Sequence, residues 1–298
     1  MDKKYYDSDI EIISRFIERV FHVSIETALK ERRTYDYLDK YMYAAKSDFV
    51  PFKNTIHRKE ITRGTVWVCW LQGIETAPKL VKRCVETIQD KANGRRVILL
   101  SERNYKQYVR LPKEIEEKKK NGVISNTFFS DILRLALLAE YGGTWIDATI
   151  FCTGEIPSYM LDSEFFCFRS SIHYYKDSLI RGSNWWISAN PKNDLICKTR
   201  NILYEYWKHE DKVINYFIFH LIVSKLTEED MRCRSIWYSM PYMENSNSHI
   251  LMGKMSHIYD EDMFQIICKN SPIHKLSYKL GIGGRGTYYS KLISKRES

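Results

Sequence analysis

The chain has 298 residues, 44% of them hydrophobic and 28% charged, a balance that allows one full core and excludes a disordered polyelectrolyte. Its formal net charge of +9 points to anionic partners without choosing among nucleotides, phosphates, polyanions and membrane surfaces. The seven cysteines (Cys69, Cys84, Cys152, Cys167, Cys197, Cys233, Cys268) form no CxxC pair, which argues against zinc-ribbon and thioredoxin-type sites and fits small core residues in a reducing compartment.

The first residues, MDKKYYDSD, are polar and carry no apolar leader. The most apolar run, 213–223, contains Asn215 and His220 and falls short of the ~20 residues a spanning helix needs. The expectation is a cytoplasmic protein, with peripheral contact at the inner face of a membrane left open. In residues 8–32, Ile10, Ile13, Phe16, Ile17, Val20 and Phe21 recur at helical spacing among Glu and Arg, which predicts a helix. Its mixed charges favour packing on a domain over lying in a membrane surface. Residues 34–60, rich in Tyr, Lys and Asp, predict a second helix and a linker. Residues 1–60 are thus expected to form a helical extension ahead of a main domain at 61–298.

From Thr65 the pattern changes. TVWVCWL, ending at Gln72-Gly73, is a β-branched and aromatic run that predicts a buried strand. Ala77-Pro78 opens a predicted helix to about Gln89, with Pro where a missing N–H costs nothing. Arg96–Leu100 (RVILL) predicts a second strand. This strand–helix–strand order implies a parallel pair with a right-handed crossover. Lys113–Lys120 reads as a charged, solvated helix. Beyond Thr149, strands are expected near Phe165–Phe168 and Trp185–Ser188, and helices near 192–208 and 213–227, before a glycine-rich tail.

Ser130–Thr149, SDILRLALLAEYGGTWIDAT, carries the chemistry. A helix is predicted to start near Ser130, with Asp131 and Arg134 on one face of its first turn. Such pairs are common on surfaces. Here, however, Ile132, Leu133 and the run Leu135–Ala139 make the helix apolar nearly all round. A buried helix must find partners for its charges, which favours a ligand site. Gly142-Gly143 ends the helix. Period two then places Trp145, Asp147 and Thr149 on one face of the next strand, where two oxygen-bearing side chains can reach one hard cation.

In this register, S-D-I-x-R followed by Y-G-G-x-W-x-D-x-T resembles the Asp–Arg helix and D-x-D strand of retaining, nucleotide-sugar-dependent transferases with the GT-A fold. The match is closest to the capsular polysaccharide synthesis branch of the family 32 glycosyltransferases, and it is also similar to the large clostridial glucosylating toxins. Trp67–Gly73 followed by Ala77-Pro78 resembles the family's first strand and nucleotide-binding turn, and Ser183-Asn184-Trp185 its S-N-W segment. The resemblance covers about residues 61–290. It implies an α/β GT-A architecture, a Rossmann-like mixed central sheet flanked by helices. It further implies that a hexose moves from a UDP-hexose donor to a saccharide acceptor, of lipid-linked type, with retention.

The resemblance also assigns roles. Asp131 and Arg134 would hold hydroxyls and phosphate of the donor sugar, and Asn184 would contact the donor sugar or the acceptor. Asp147 would bind Mn²⁺ or Mg²⁺ bridging the diphosphate, with Thr149 in place of the second D-x-D carboxylate and a weaker ligand. Trp67 or Trp70 would stack on uracil beside Gln72 and Gly73. His274 would complete the metal shell and Lys275 neutralise phosphate, although an ordinary loop histidine fits that position as well. Mn²⁺ is then expected to raise UDP affinity.

Gly281–Gly286 matches G-x-G-x-x-G, but no βαβ unit can follow it. A plain loop and a lid bringing Arg285 to the diphosphate remain equally open. His220 reads as a core residue. The rivals are a non-catalytic basic module for polyanions or membranes and a metal-dependent hydrolase. The second needs more ligands than one strand supplies. Nucleic acid is not an expected partner, since no stretch interleaves Arg and Lys with aromatics in an RNA-binding pattern.

Overall fold

A computed structural model describes residues 25–48, 50, 61–170, 179–279 and 284–294. Of the helix expected over 8–32, the part before residue 25 lies outside the described residues, as does most of the linker at 51–60. Helix α1 spans Ile25–Tyr37 and runs into a 3-10 turn at Leu38–Lys46, whose Leu38, Tyr41 and Ala44 are buried. That turn packs on α-helical residues 194–209, and α1 on residues 218–229.

The expected strand–helix–strand unit is present. Strand β1, Val66–Cys69, pairs in parallel with β2, Val97–Leu100, across α2, Lys79–Lys91, which follows Pro78. Leu80, Val81, Cys84, Val85 and Ile88 are the buried face of α2, the spacing of an amphipathic helix. The short charged α3, Lys113–Lys120, buries only Ile115. Helix α4, Asn126–Tyr141, buries residues on every side and leads directly into β3, Gly143–Ile146. Next come β4 (Ile150–Cys152), α5 (Ser158–Asp162), β5 (Phe165–Arg169) and β6 (Gly182–Ala189).

The central sheet has five strands in the order β2-β1-β3-β6-β5. β1 is parallel to β2 and β3, whereas β6 runs antiparallel to β3 and β5. The result is a mixed α/β sheet flanked by helices, as expected. Helices α6 (Asp194–His209), α7 (Ile218–Glu229) and α8 (Met231–Ser239) pack in succession beside α4. The core of that face includes Phe129, Leu133, Trp145, Leu203, Leu221 and Trp237. Val68, Val81, Ile146, Phe166, Phe168 and Trp186 belong to the second core, where α2 packs. Helices α9 (Ser246–Lys254) and α10 (Glu261–Asn270) precede β7, Ile273–Lys275, which pairs antiparallel with β4 in a separate two-stranded ribbon. A last helix, α11, spans Tyr288–Ile293.

The passage from α4 to β3 is tight. Gly142 and Gly143 take φ of 67° and 90°, the left-handed region that glycine enters at little cost. Thr144 N–H donates to Thr65 O at 2.9 Å. Trp67 Nε1 donates to Gly142 O at 3.0 Å. A Cβ on Gly143 would stand 2.3 Å from Thr65 O, so a side chain there and the β1–β3 pairing exclude each other. Gly143→Ala is expected to cost on the order of 2 kcal/mol or more. A urea midpoint unchanged from wild type would show that this approach constrains nothing.

Candidate active site

The site forms where α4 faces the end of β3. Ser125 caps α4, its hydroxyl accepting from Phe128 N–H, which satisfies one of the helix's free N–H groups. The helix therefore begins one turn earlier than the sequence suggests. Asp131 and Arg134 lie in its second and third turns, not its first, and both are buried.

Arg134 joins the two parts. Its Nη1 donates to Asp131 Oδ1, and its Nη2 donates to Asp147 Oδ1 at 3.0 Å. The guanidinium also lies over the Trp145 ring, 4.8 Å from its centroid, a cation–π contact. Asn184 on β6 donates its Nδ2 to Asp131 Oδ1 at 2.9 Å. Trp145 Nε1 donates to Asp147 Oδ1 at 2.9 Å. From β7, Lys275 Nζ donates to Asp147 Oδ2 at 2.7 Å and to Thr149 Oγ1 at 2.8 Å.

The alternating strand expected through Thr149 stops at Ile146. Asp147 N–H still bonds Trp185 O at 2.9 Å, but Ile150 N–H turns back to Asp147 O at 3.0 Å. Asp147 and Thr149 thus share a turn, not a strand face. They converge on one point because Lys275 sits between them.

Burial pushes the Asp131 carboxyl up to about 6, although Arg134 pulls it the other way. Burial also raises Asp147, but Lys275 and Arg134 outweigh it and hold that group below the ordinary carboxylate range. One carboxylate is thus firmly charged at neutral pH, and the other titrates just below it.

Two adjoining cavities meet at this network. The first, of 430 Å³, is lined by Trp70, Gln72, Tyr278 and Lys279. The second, of 520 Å³, is lined by Ser183, Trp185, Asn245 and His249. Asp131, Asp147, Asn184, Tyr216, His249 and Lys275 border both.

Of the residues singled out in the sequence, Asp131, Arg134, Asp147, Thr149, Asn184, Trp70, Gln72 and Lys275 border the first cavity. Trp67 does not. It is 0% exposed, wedged against Tyr108 and Tyr141 with its indole N–H spent on Gly142, so no face is left for a base. Gly73 supplies a positive-φ turn behind Trp70 and borders neither cavity.

His274 is also displaced from its expected role. It is fully buried, its Nε2 meets Thr153 Oγ1 at 3.0 Å, and burial pushes it down to about 4. Alternation along β7 sends it away from Lys275. Arg285 is exposed and borders neither cavity, while Gly281–Gly283 lie outside the described residues. His220, read as core, lines the second cavity and is pushed down to about 3, chiefly by burial. Asn245, His249, Tyr278 and Lys279 carry no sequence signal, since they come from distant loops and helices.

The donors present are a poor shell for a divalent ion. Both Asp147 oxygens and the Thr149 hydroxyl already accept from protein cations or the Trp145 indole. Among the described residues, no three His, Cys, Asp or Glu side chains cluster closely enough to hold a metal. The geometry suits a singly charged, hydrogen-bonding cation.

The chain belongs to the family described as capsular polysaccharide synthesis protein, whose model matches residues 15–292. No curated protein matches the sequence. Among solved structures, one titled "PaToxG Glycosyltransferase" is similar at 14% identity and a TM-score of 0.38, covering 73% of this chain and 86% of that one.

Removing Arg134 tests the network. Arg134→Ala leaves the buried Asp131 without a cation and Asp147 with Lys275 as its one remaining cation, and is expected to destabilise by about 3–5 kcal/mol near neutral pH. The sign with pH follows from Asp131, whose folded value of about 6 lies above its ordinary 3.8. Stability linked to its protonation is present below the lower value and lost as pH rises through the upper one. Without Arg134 the upper value climbs, so urea unfolding is expected to show a larger loss at about pH 8 than at about pH 5. Equal losses would mean that Arg134 does not compensate Asp131.

Proposed function

We propose that this chain is a retaining glycosyltransferase that moves a hexose from a UDP-sugar to a saccharide acceptor in capsular or related surface polysaccharide synthesis. In this reading the mixed sheet is a GT-A domain. Family membership supports the pathway. The observation that carries the reading is the junction of two cavities at a charge-paired network, with Trp70, Tyr278 and Lys279 lining only the first and Ser183, Trp185 and Asn245 only the second.

The first cavity suits the nucleotide. Trp70 presents a partly exposed ring set edge-on to Tyr278 at 5.3 Å, a platform on which uracil can stack. Gln72 offers an amide beside it, and Lys275 and Lys279 face where a diphosphate would lie. The hexose then sits over Asp131, Asn184 and Asp147, whose oxygens and amide can bind its hydroxyls. The second cavity, with Ser183, Asn245 and His249 beside Trp185, suits an acceptor sugar: hydrogen-bonding groups next to an apolar ring.

In the transfer, the bond between the anomeric carbon and the β-phosphate oxygen breaks and its electron pair leaves with UDP. The acceptor hydroxyl oxygen forms the new bond on the same face, and its proton passes to the departing phosphate. No side-chain base is needed. Asp147, held ionised by Lys275 and Arg134, and Asp131 oppose the positive charge that develops at the anomeric carbon. Preorganised charges of this kind lower a barrier because they need no rearrangement as the reaction proceeds.

No helix among the described residues is long and apolar enough to cross a membrane. In this reading a lipid-linked acceptor is met by peripheral contact at a membrane's cytoplasmic face. A polyanion-binding module is the weaker alternative, because the central cations Arg134 and Lys275 are largely buried where the two cavities meet and are not spread over an open surface.

Asp147→Asn and Asp131→Asn are each expected to cut UDP release from UDP-glucose or UDP-galactose by about a hundredfold or more, with unchanged circular dichroism. Turnover like wild type in either folded variant would defeat the assignment.

A further inference from the structure

We propose that Lys275 takes the place of a divalent metal ion at the donor's diphosphate, so that transfer proceeds without metal. This inference rests on the glycosyltransferase reading above and fixes how that site handles the leaving group.

Its basis is where the ammonium is held. Lys275 ends a strand whose partner is β4, in the register Ile150↔Lys275, and Leu276 N–H donates to Thr149 O at 3.0 Å. Backbone pairing on both sides of the turn thus returns the side chain to one place. There its Nζ lies 2.7 Å from Asp147 Oδ2 and 2.8 Å from Thr149 Oγ1, bridging the two side chains that a D-x-D-type site would turn toward a metal. An ammonium carries three donors. Two are used on these oxygens, and the third remains for a phosphate oxygen in the cavity that Lys275 lines.

The alternative is electrostatically unfavourable. A divalent ion on Asp147 would have to displace the ammonium, or sit within a few ångströms of it and of Arg134, and like charges repel steeply at that range in a partly buried site. It would also lack companions. His274 is turned into the β4–β7 ribbon against Thr153, and Thr149 supplies a neutral hydroxyl already accepting from Lys275. The Mn²⁺ enhancement of UDP binding expected from the family resemblance therefore does not hold in this reading.

The role is chemically complete. When the anomeric C–O bond breaks, negative charge accumulates on the β-phosphate oxygen. The Lys275 N–H hydrogen bond to that oxygen strengthens as the charge grows, and the acceptor's proton neutralises it further. Lys275 transfers no proton and stays an ammonium throughout. Its grip on Asp147 and Thr149 keeps the charge where it is needed before the donor arrives, so little reorganisation is required.

Isothermal titration calorimetry on the full chain, using UDP and uridine as probes in EDTA and in Mn²⁺, tests the proposal. Wild-type UDP affinity is expected to agree within about threefold between EDTA and Mn²⁺, a difference of well under one power of ten. Lys275→Ala is expected to weaken UDP by about tenfold to a hundredfold, the loss of one charge-assisted hydrogen bond, and to leave uridine unchanged. Lys275→Arg should keep most of the UDP affinity. A larger Mn²⁺ gain in wild type overturns the proposal and leaves the glycosyltransferase reading standing, and this arm needs no variant to fold. UDP binding by Lys275→Ala at the wild-type level overturns it as well. Wild-type protein that binds UDP in neither condition defeats the functional reading itself.

Discussion

The Arg134 guanidinium, buried between Asp131 on its own helix and Asp147 beyond the next strand, is the contact on which the site depends. It links α4 to the turn after β3 through its hydrogen bond to Asp147, pairs with Asp131 on its own helix, and rests on the Trp145 ring. A charge so enclosed is tolerable only with partners on several sides. The surrounding geometry supplies them: Asn184 on Asp131, Trp145 and Lys275 on Asp147. The Gly142-Gly143 passage fixes how closely β3 approaches the start of β1, since the Thr65 backbone just before β1 fills the space a side chain at Gly143 would need. Fold and site are thus one problem: the turn that closes β3 against β1 also brings Asp147 within reach of Arg134.

Charge pairing also shapes the chemistry. The network holds two carboxylates and two cations, and burial with neighbours pushes the carboxyls in opposite directions, Asp131 up and Asp147 down. Groups that differ in this way can divide their tasks within one site. The two adjoining cavities share Lys275 but differ in what else lines them: Trp70, Tyr278 and Lys279 belong only to the first, and Ser183, Trp185 and Asn245 only to the second. In the proposed reading a nucleotide sugar occupies the first and a neutral saccharide the second. In that reading the chain's excess positive charge serves the approach of an anionic donor.

Much of this was legible in the sequence because it is local. The pair Asp131 and Arg134 could be read as buried from the apolar residues around it, and β1–α2–β2 from its run of β-branched residues and Pro78. What escaped the sequence depended on partners far along the chain. Trp67 and Trp70 look alike in TVWVCWL, but only the pairing of β1 between β2 and β3 decides that Trp67 faces Tyr108 and Tyr141 and that Trp70 reaches the cavity. His274 and Lys275 are neighbours, and the register with β4, set some 120 residues away, sends the lysine to Asp147 and the histidine to Thr153. Thr149 read as strand because alternation continues past Ile146, although the backbone turns there. Of the second cavity only Ser183-Asn184-Trp185 gave a signal, since Asn245 and His249 belong to α9 and its approach, where the apolar pattern is weak.

A crystal structure of the chain grown with UDP tests the assignment most directly. The diphosphate is expected within hydrogen-bond distance of Lys275 Nζ, with uracil against Trp70 and no metal between phosphate and Asp147. UDP lodged outside the first cavity, or its diphosphate bridged to Asp147 by a metal ion with Lys275 swung aside, would contradict it.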